Sequence, residues 1–197
     1  MHFMRELGQK KLILPIAERF TGVYNSIKYL ERQEGFMEME EMEKRERYRM
    51  AKMQLESLFE GERDRIANLA NASALLNEVM DDLNWVGFYL MKHGELILGP
   101  FQGKTACIRI PVGKGVCGTA VAKDEIQLVY DVHEFPGHIA CDSASSSEIV
   151  LPLHADGRIV GVLDIDSPRI GRFTEADREG LALCARVIEE ACDWKEQ

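Results

Sequence analysis

The chain has 197 residues, 46% of them apolar, which suffices for one domain with a sizeable core. A formal charge of −9 repels phosphate backbones and anionic membrane surfaces, so nucleic acid is not an expected partner. No apolar run approaches the roughly 20 residues of a membrane span, and the short run from Leu12 to Ala17 is broken by Pro15, so neither a signal peptide nor an anchor is expected.

In chain order, residues 1–50 read as a charged extension: Glu31 to Arg49 is dominated by Glu, Arg, Lys and Met and predicts a solvated helix or disorder. The in-frame Met50 offers an alternative start, which N-terminal mapping of natural protein distinguishes from Met1. A globular domain is expected over 51–197. Leu58, Ile66, Leu69, Leu76, Val79 and Leu83 recur at helical spacing and predict one or two amphipathic helices. Trp85 to Met91 and Glu95 to Leu98, joined by His93-Gly94, read as strand, turn and strand. Cys107 to Val112 alternates as a third strand, Gly115 to Ala122 forms a short helix, and Gln127 to Val132 a fourth strand.

Asp131 to Glu148 is a polar loop longer than most connections in a compact domain, and such loops often carry function. Ile149 to Leu153 and Arg158 to Asp166 flank Asp156-Gly157, a hairpin turn whose residue types tolerate positive φ. Thr174-Glu-Ala-Asp177 opens a closing helix as a capping box, with Leu181, Cys184, Ile188 and Cys192 on one face. Helices at both ends with hairpins between predict an α+β fold, a mostly antiparallel sheet with the terminal helices packed on it.

Several residue patterns suggest chemistry. Gly113-Lys-Gly-Val-Cys-Gly118 satisfies the dinucleotide G-x-G-x-x-G, but the helix after it is too short for a parallel crossover and Asp131 is too near, so a glycine turn is the preferred reading. His133, His138 and Cys141 have zinc-ligand character yet lack a fourth partner; solvated loop histidines are preferred, and no metal or cofactor is expected. Five cysteines, an odd number without the density of a disulfide scaffold, suit a reducing cytoplasm. Cys184 and Cys192 read as core residues. Cys107, Cys117 and Cys141 fall on a strand, at a helix start and in the polar loop, and the last two placements favour reactivity. Asp164 and Asp166 emerge on one face of a strand with Glu148 on its hairpin partner; the residues alone favour a solvated strand end over a convergent acidic site.

Together these residues resemble the free methionine-(R)-sulfoxide reductases, small stand-alone GAF-domain enzymes. The likeness covers about Gln54 to Glu190 and rests on Leu83-Asn-Trp-Val-Gly-Phe-Tyr89, Leu98-Gly-Pro-Phe-Gln-Gly103, Gly113 to Thr119, His138-Ile-Ala-Cys-Asp-Ser-Ala-Ser-Ser-Ser-Glu148, Gly161-Val-Leu-Asp-Ile-Asp-Ser-Pro168 and Arg172-Phe-Thr-Glu-Ala-Asp177. The resemblance implies a GAF-like sheet, Cys141 as the nucleophile toward free methionine sulfoxide, and Cys107 as the resolving cysteine with Cys117 as alternative or relay. It also implies thioredoxin as external reductant and association into a homodimer. Trp85 and Tyr89 would flank the methylthio end, Ile139 and Ala140 would line the pocket, and Glu148, Asp164 and Asp166 would bind the ammonium and polarise the sulfoxide oxygen. One of those carboxyls, held protonated, would serve as general acid. The rival reading is a GAF module that senses a small ligand; a third is an adaptor built on the N-terminal helix.

Overall fold

The computed structural model describes residues 16–137 and 143–195, with side chains described from residue 35 onward. The chain divides into two compact units, Met1–Glu40 and Glu41–Gln197. The first contributes the opening part of α1 (Ile16–Leu58), helical as the charged composition allows; the account below concerns the second.

Six strands form one antiparallel sheet: β1 (Trp85–Lys92), β2 (Glu95–Gly103), β3 (Arg109–Pro111), β4 (Gln127–Val129), β5 (Ser147–Ala155) and β6 (Arg158–Ser167), in the order β3-β2-β1-β6-β5-β4. Both expected hairpins are present. His93-Gly94 and Asp156-Gly157 each hold two consecutive positive φ angles, the backbone that matches the twist of the flanking strands. α2 (Arg65–Val79) and α4 (Glu175–Ala191) pack with the end of α1 on one face, while the nine-residue α3 (Gly115–Lys123) covers the other. The α+β expectation is met.

Strand alternation assigns residues to two cores. Val86, Phe88, Leu90, Ile149, Leu151, Leu163 and Ile165 enter the larger cluster with α1, α2 and α4. Trp85, Tyr89, Val150 and Val162 face the opposite way, toward Val116, Cys117 and Ala120 of α3. That second face holds the candidate site.

Several expected boundaries move. The turn of Glu60 to Asp64, with Gly61 at φ +79°, separates α1 from α2 and leaves Leu58 and Ile66 exposed, so the predicted stripe is two helices with different faces buried. Residue 50 cuts through a packed segment. Tyr48 is buried, its ring lies against Gly180 of α4, and its hydroxyl donates to Asp177 Oδ1 at 2.7 Å. A side chain on Gly180 would place its Cβ 2.3 Å from that ring, so the glycine makes the close approach. β3 begins only at Arg109 and β4 ends at Val129, which puts Cys107 in a loop and Val132 in a short 3-10 turn, Val132–Glu134. Cys184 is buried in α4, whereas Cys192 is buried as its C-cap rather than on the helical face.

Candidate active site

β1, β6 and β5 are neighbours, and their register brings the predicted residues together. Asp166 stands opposite Trp85 on one side and Glu148 on the other; Asp164 stands opposite Gly87 and Val150. Their shared face lies under α3, so Glu148 and Asp164 do not end in solvent as the sequence suggested, while Asp166 is half-buried. Glu148 and Asp164 are each only 6% exposed. α3 delivers Cys117 to the same place, its thiol donating to Glu148 Oε1 at 3.9 Å. Cys117 Sγ and one oxygen from each of Glu148 and Asp164 lie within 4.8 Å of one another.

The aromatic wall is built on β1. Trp85 and Tyr89, four residues apart on one face, stack with centroids 5.8 Å apart, and Phe101 of β2 continues the stack 5.3 Å from Trp85. Gly87 lies between them. A Cβ there would sit 2.3 Å from Phe101 Cβ and 2.8 Å from the Trp85 ring, so only glycine lets the two rings close over the strand. The polar ends of both rings are satisfied on the strap between β2 and β3: Trp85 Nε1 donates to Lys104 O at 3.1 Å and the Tyr89 hydroxyl to Cys107 O at 3.0 Å. Buried aromatics with their polar edges paired form a firm, amphipathic wall. The strap residue Cys107 is disulfide-bonded, whereas Cys117, Cys184 and Cys192 carry free thiols.

Electrostatically the cluster favours protons. Burial, reinforced by Asp164 and Asp166, pushes the Glu148 carboxyl well above the usual carboxylate range. Burial raises Asp164 to about 6, against hydrogen bonds with Cys117 and Glu148 that lower it. The Cys117 thiol is driven well up by burial and then by the charges of Asp164 and Glu148. Against the expectation drawn from its place at a helix start, desolvation and like charge oppose ionisation of this thiol.

The G-x-G-x-x-G belongs to this architecture and not to a dinucleotide. Gly113 and Gly115 have φ of +81° and +61°, and Gly118 approaches so closely that a Cβ would meet Pro111 O at 2.4 Å. β3 and β4, on either side of α3, lie at opposite edges of an antiparallel sheet, so no βαβ unit exists. Asp131 accepts from the His133 amide at 2.9 Å and faces its Nδ1 at 2.8 Å, on a largely exposed imidazole. His138, Ile139, Ala140 and Cys141 lie outside the described residues. The chain after them is anchored beside the site. Asn84 Nδ2 donates to Ser145 Oγ at 3.0 Å, and the Ser146 amide to Ser167 O at 2.7 Å.

Phe101, Gly87, Asn84 and Ser145 were not singled out from the sequence. The alternation Trp85-x-Gly87-x-Tyr89 was the available signal for Gly87, since glycine inside an aromatic strand marks a close approach.

Comparison with known proteins agrees with this architecture. Residues 70–193 match the family model described as GAF domain. The free methionine-R-sulfoxide reductase of Escherichia coli is 55% identical over 149 residues, covering 76% of this chain and 90% of that one. The enzyme of the same name from Saccharomyces cerevisiae is 46% identical over 148 residues, with 71% and 82% covered. The structure of fRMsr of Staphylococcus aureus in complex with substrate superposes with a TM-score of 0.71 at 55% identity, over 73% of this chain and 94% of that one. The chain belongs to the GAF-domain family and, within it, to the free methionine-R-sulfoxide reductases.

Proposed function

We propose that this chain reduces the R sulfoxide of free methionine to methionine, with Cys141 as the attacking thiolate. The observation that carries the reading is the convergence, on one buried sheet face, of an aromatic wall and a proton-bearing carboxyl cluster. A methylthio group suits the wall of Trp85 and Tyr89, and an ammonium suits the carboxylates. The relatives' names supply the substrate class.

The Cys141 thiolate attacks the sulfoxide sulfur while a protonated carboxyl, Glu148 or Asp164, gives its proton to the sulfoxide oxygen. The hydroxyl then passes from the methionine sulfur to the Cys141 sulfur as the transient S–S bond breaks with its electron pair left on methionine, so that methionine leaves and Cys141 is a sulfenic acid. The Cys107 thiol then attacks that sulfur, water departs, and a disulfide forms; an external dithiol, thioredoxin in this reading, returns both thiols by exchange. Support for Cys107 in the resolving role is that it is disulfide-bonded here while Cys117 is a buried, protonated free thiol. A reducing cytoplasmic compartment and a homodimeric enzyme belong to the same reading. No described helix is long and apolar enough to cross a membrane.

The test offers both sulfoxide epimers, free and peptide-bound, with a thioredoxin recycling system. The free R epimer alone is expected to be consumed. Cys141→Ser is expected to abolish reduction and Cys107→Ser to permit a single turnover; repeated turnover by the Cys141 variant overturns the mechanism. A ligand-sensing module would bind methionine sulfoxide without losing titratable thiols, which a thiol assay reads directly.

A further inference from the structure

The cluster of Cys117, Glu148 and Asp164 also has the composition of a metal site. Each ligand comes from a different element, α3, β5 and β6, and the sheet register fixes the two carboxyls. The three donor atoms lie within 4.8 Å of one another, with Cys117 Sγ 3.9 Å from Glu148 Oε1. Tetrahedral donors bonded at about 2.0–2.3 Å stand about 3.3–3.8 Å apart, so side-chain contraction of roughly 1 Å closes the set.

A second observation points to a ligand. Asp164 is 6% exposed, and its Oδ1 has no hydrogen-bond partner among the described residues. A carboxyl oxygen held out of water with no donor among the described residues, on a side chain otherwise bonded only to another carboxyl and a thiol, favours the arrival of positive charge. The thiol selects among cations: magnesium and calcium take oxygen shells, whereas zinc accepts sulfur with oxygen.

We propose that Cys117, Glu148 and Asp164 bind a thiophilic divalent cation, with zinc as the reference ion, and that this cation and the amino-acid substrate exclude one another at the site. The exclusion rests on the reading that these carboxyls receive the substrate; the binding of metal does not. Three protein ligands leave a fourth position open, as in sites that exchange their occupant. Entry of the ion displaces the protons the three groups carry. The ion acts as an inhibitor of the reductase and is not a resident cofactor.

Reduced, metal-free full-length protein is titrated with cobalt(II) as spectroscopic probe and with zinc by equilibrium dialysis. One equivalent is expected, with a thiolate-to-cobalt charge-transfer band. The Cys107→Ser/Cys141→Ser double variant is expected to keep the band, whereas Cys117→Ser loses it and binds zinc about 100-fold or more weakly. A band retained by Cys117→Ser, or lost in the double variant, overturns the site. Should Cys117→Ser fail to fold, Glu148→Gln and Asp164→Asn decide, since unchanged zinc affinity in both also overturns it. Free methionine sulfoxide, which the double variant cannot turn over, is expected to release the ion; retention overturns the exclusion. Metal binding with no reductase activity in the metal-free wild-type protein removes the proposed function and leaves the site standing.

Discussion

Asp177 at the start of α4 and Asp164 on β6 are both withdrawn from water, 0% and 6% exposed, yet their surroundings differ in kind. Asp177 accepts from the Tyr48 hydroxyl at 2.7 Å, Arg172 Nη1 at 3.0 Å, Lys44 Nζ at 3.0 Å and the Thr174 amide at 2.8 Å. Burial raises its carboxyl, but Tyr48, Arg172, Thr174 and Lys44 together outweigh that and hold it below the usual range. Around Asp164 the neighbours are another carboxyl and a thiol, and it is held up at about 6. A buried carboxylate surrounded by donors is a structural joint; one surrounded by its own kind is held ready for something outside the chain.

Substitutions sharpen this contrast. Asp177→Ala strands Arg172 and Lys44 and is expected to cost about 3–5 kcal/mol in a denaturant melt. Asp164→Asn runs the other way: it removes a group whose ionisation burial opposes, so stability at pH 7 is expected to rise by on the order of 1–3 kcal/mol while turnover falls. A loss of stability in that variant would break the distinction between the two centres. Gly87→Ala forces a side chain into Phe101 and Trp85 and is expected to cost about 1–3 kcal/mol and raise KM. Arg45→Ala removes an ion pair with Glu179 in which both side chains are half exposed, and is expected to change stability by less than about 1 kcal/mol.

Acid separates the two centres as well. Asp177, depressed when folded, stabilises above its unfolded value near 4 and loses that contribution as pH falls through its folded value. Asp164, raised when folded, gives the opposite slope: stability is expected to increase as pH drops from about 6 toward 4. Wild type is therefore expected to show a stability maximum between these windows, and Asp164→Asn a flatter profile on its alkaline side, both measurable by melting against pH.

Much of this was legible in the residues. The hairpins at His93-Gly94 and Asp156-Gly157, the opening of α4 at Thr174 and the common face of Asp164 and Asp166 follow from local periodicity and turn chemistry. Burial of that face was not, because alternation within a strand gives two faces without saying which helix covers each; α3, only nine residues long, decides it. Tyr48 was missed for a similar reason. Its partners, Asp177 and Gly180, lie some 130 positions away along the chain, and a charged helix gives no local sign of one aromatic turned inward.

β1 carries a consequence of its own. Its even positions, Val86, Phe88 and Leu90, hold the helical layer, and its odd positions, Trp85 and Tyr89, shape the pocket. A slip of a single residue against β6 would exchange these two sets at once. Variation along this segment is thus doubly constrained: drift that tunes substrate preference at odd sites is free only while the even sites keep the strand in phase.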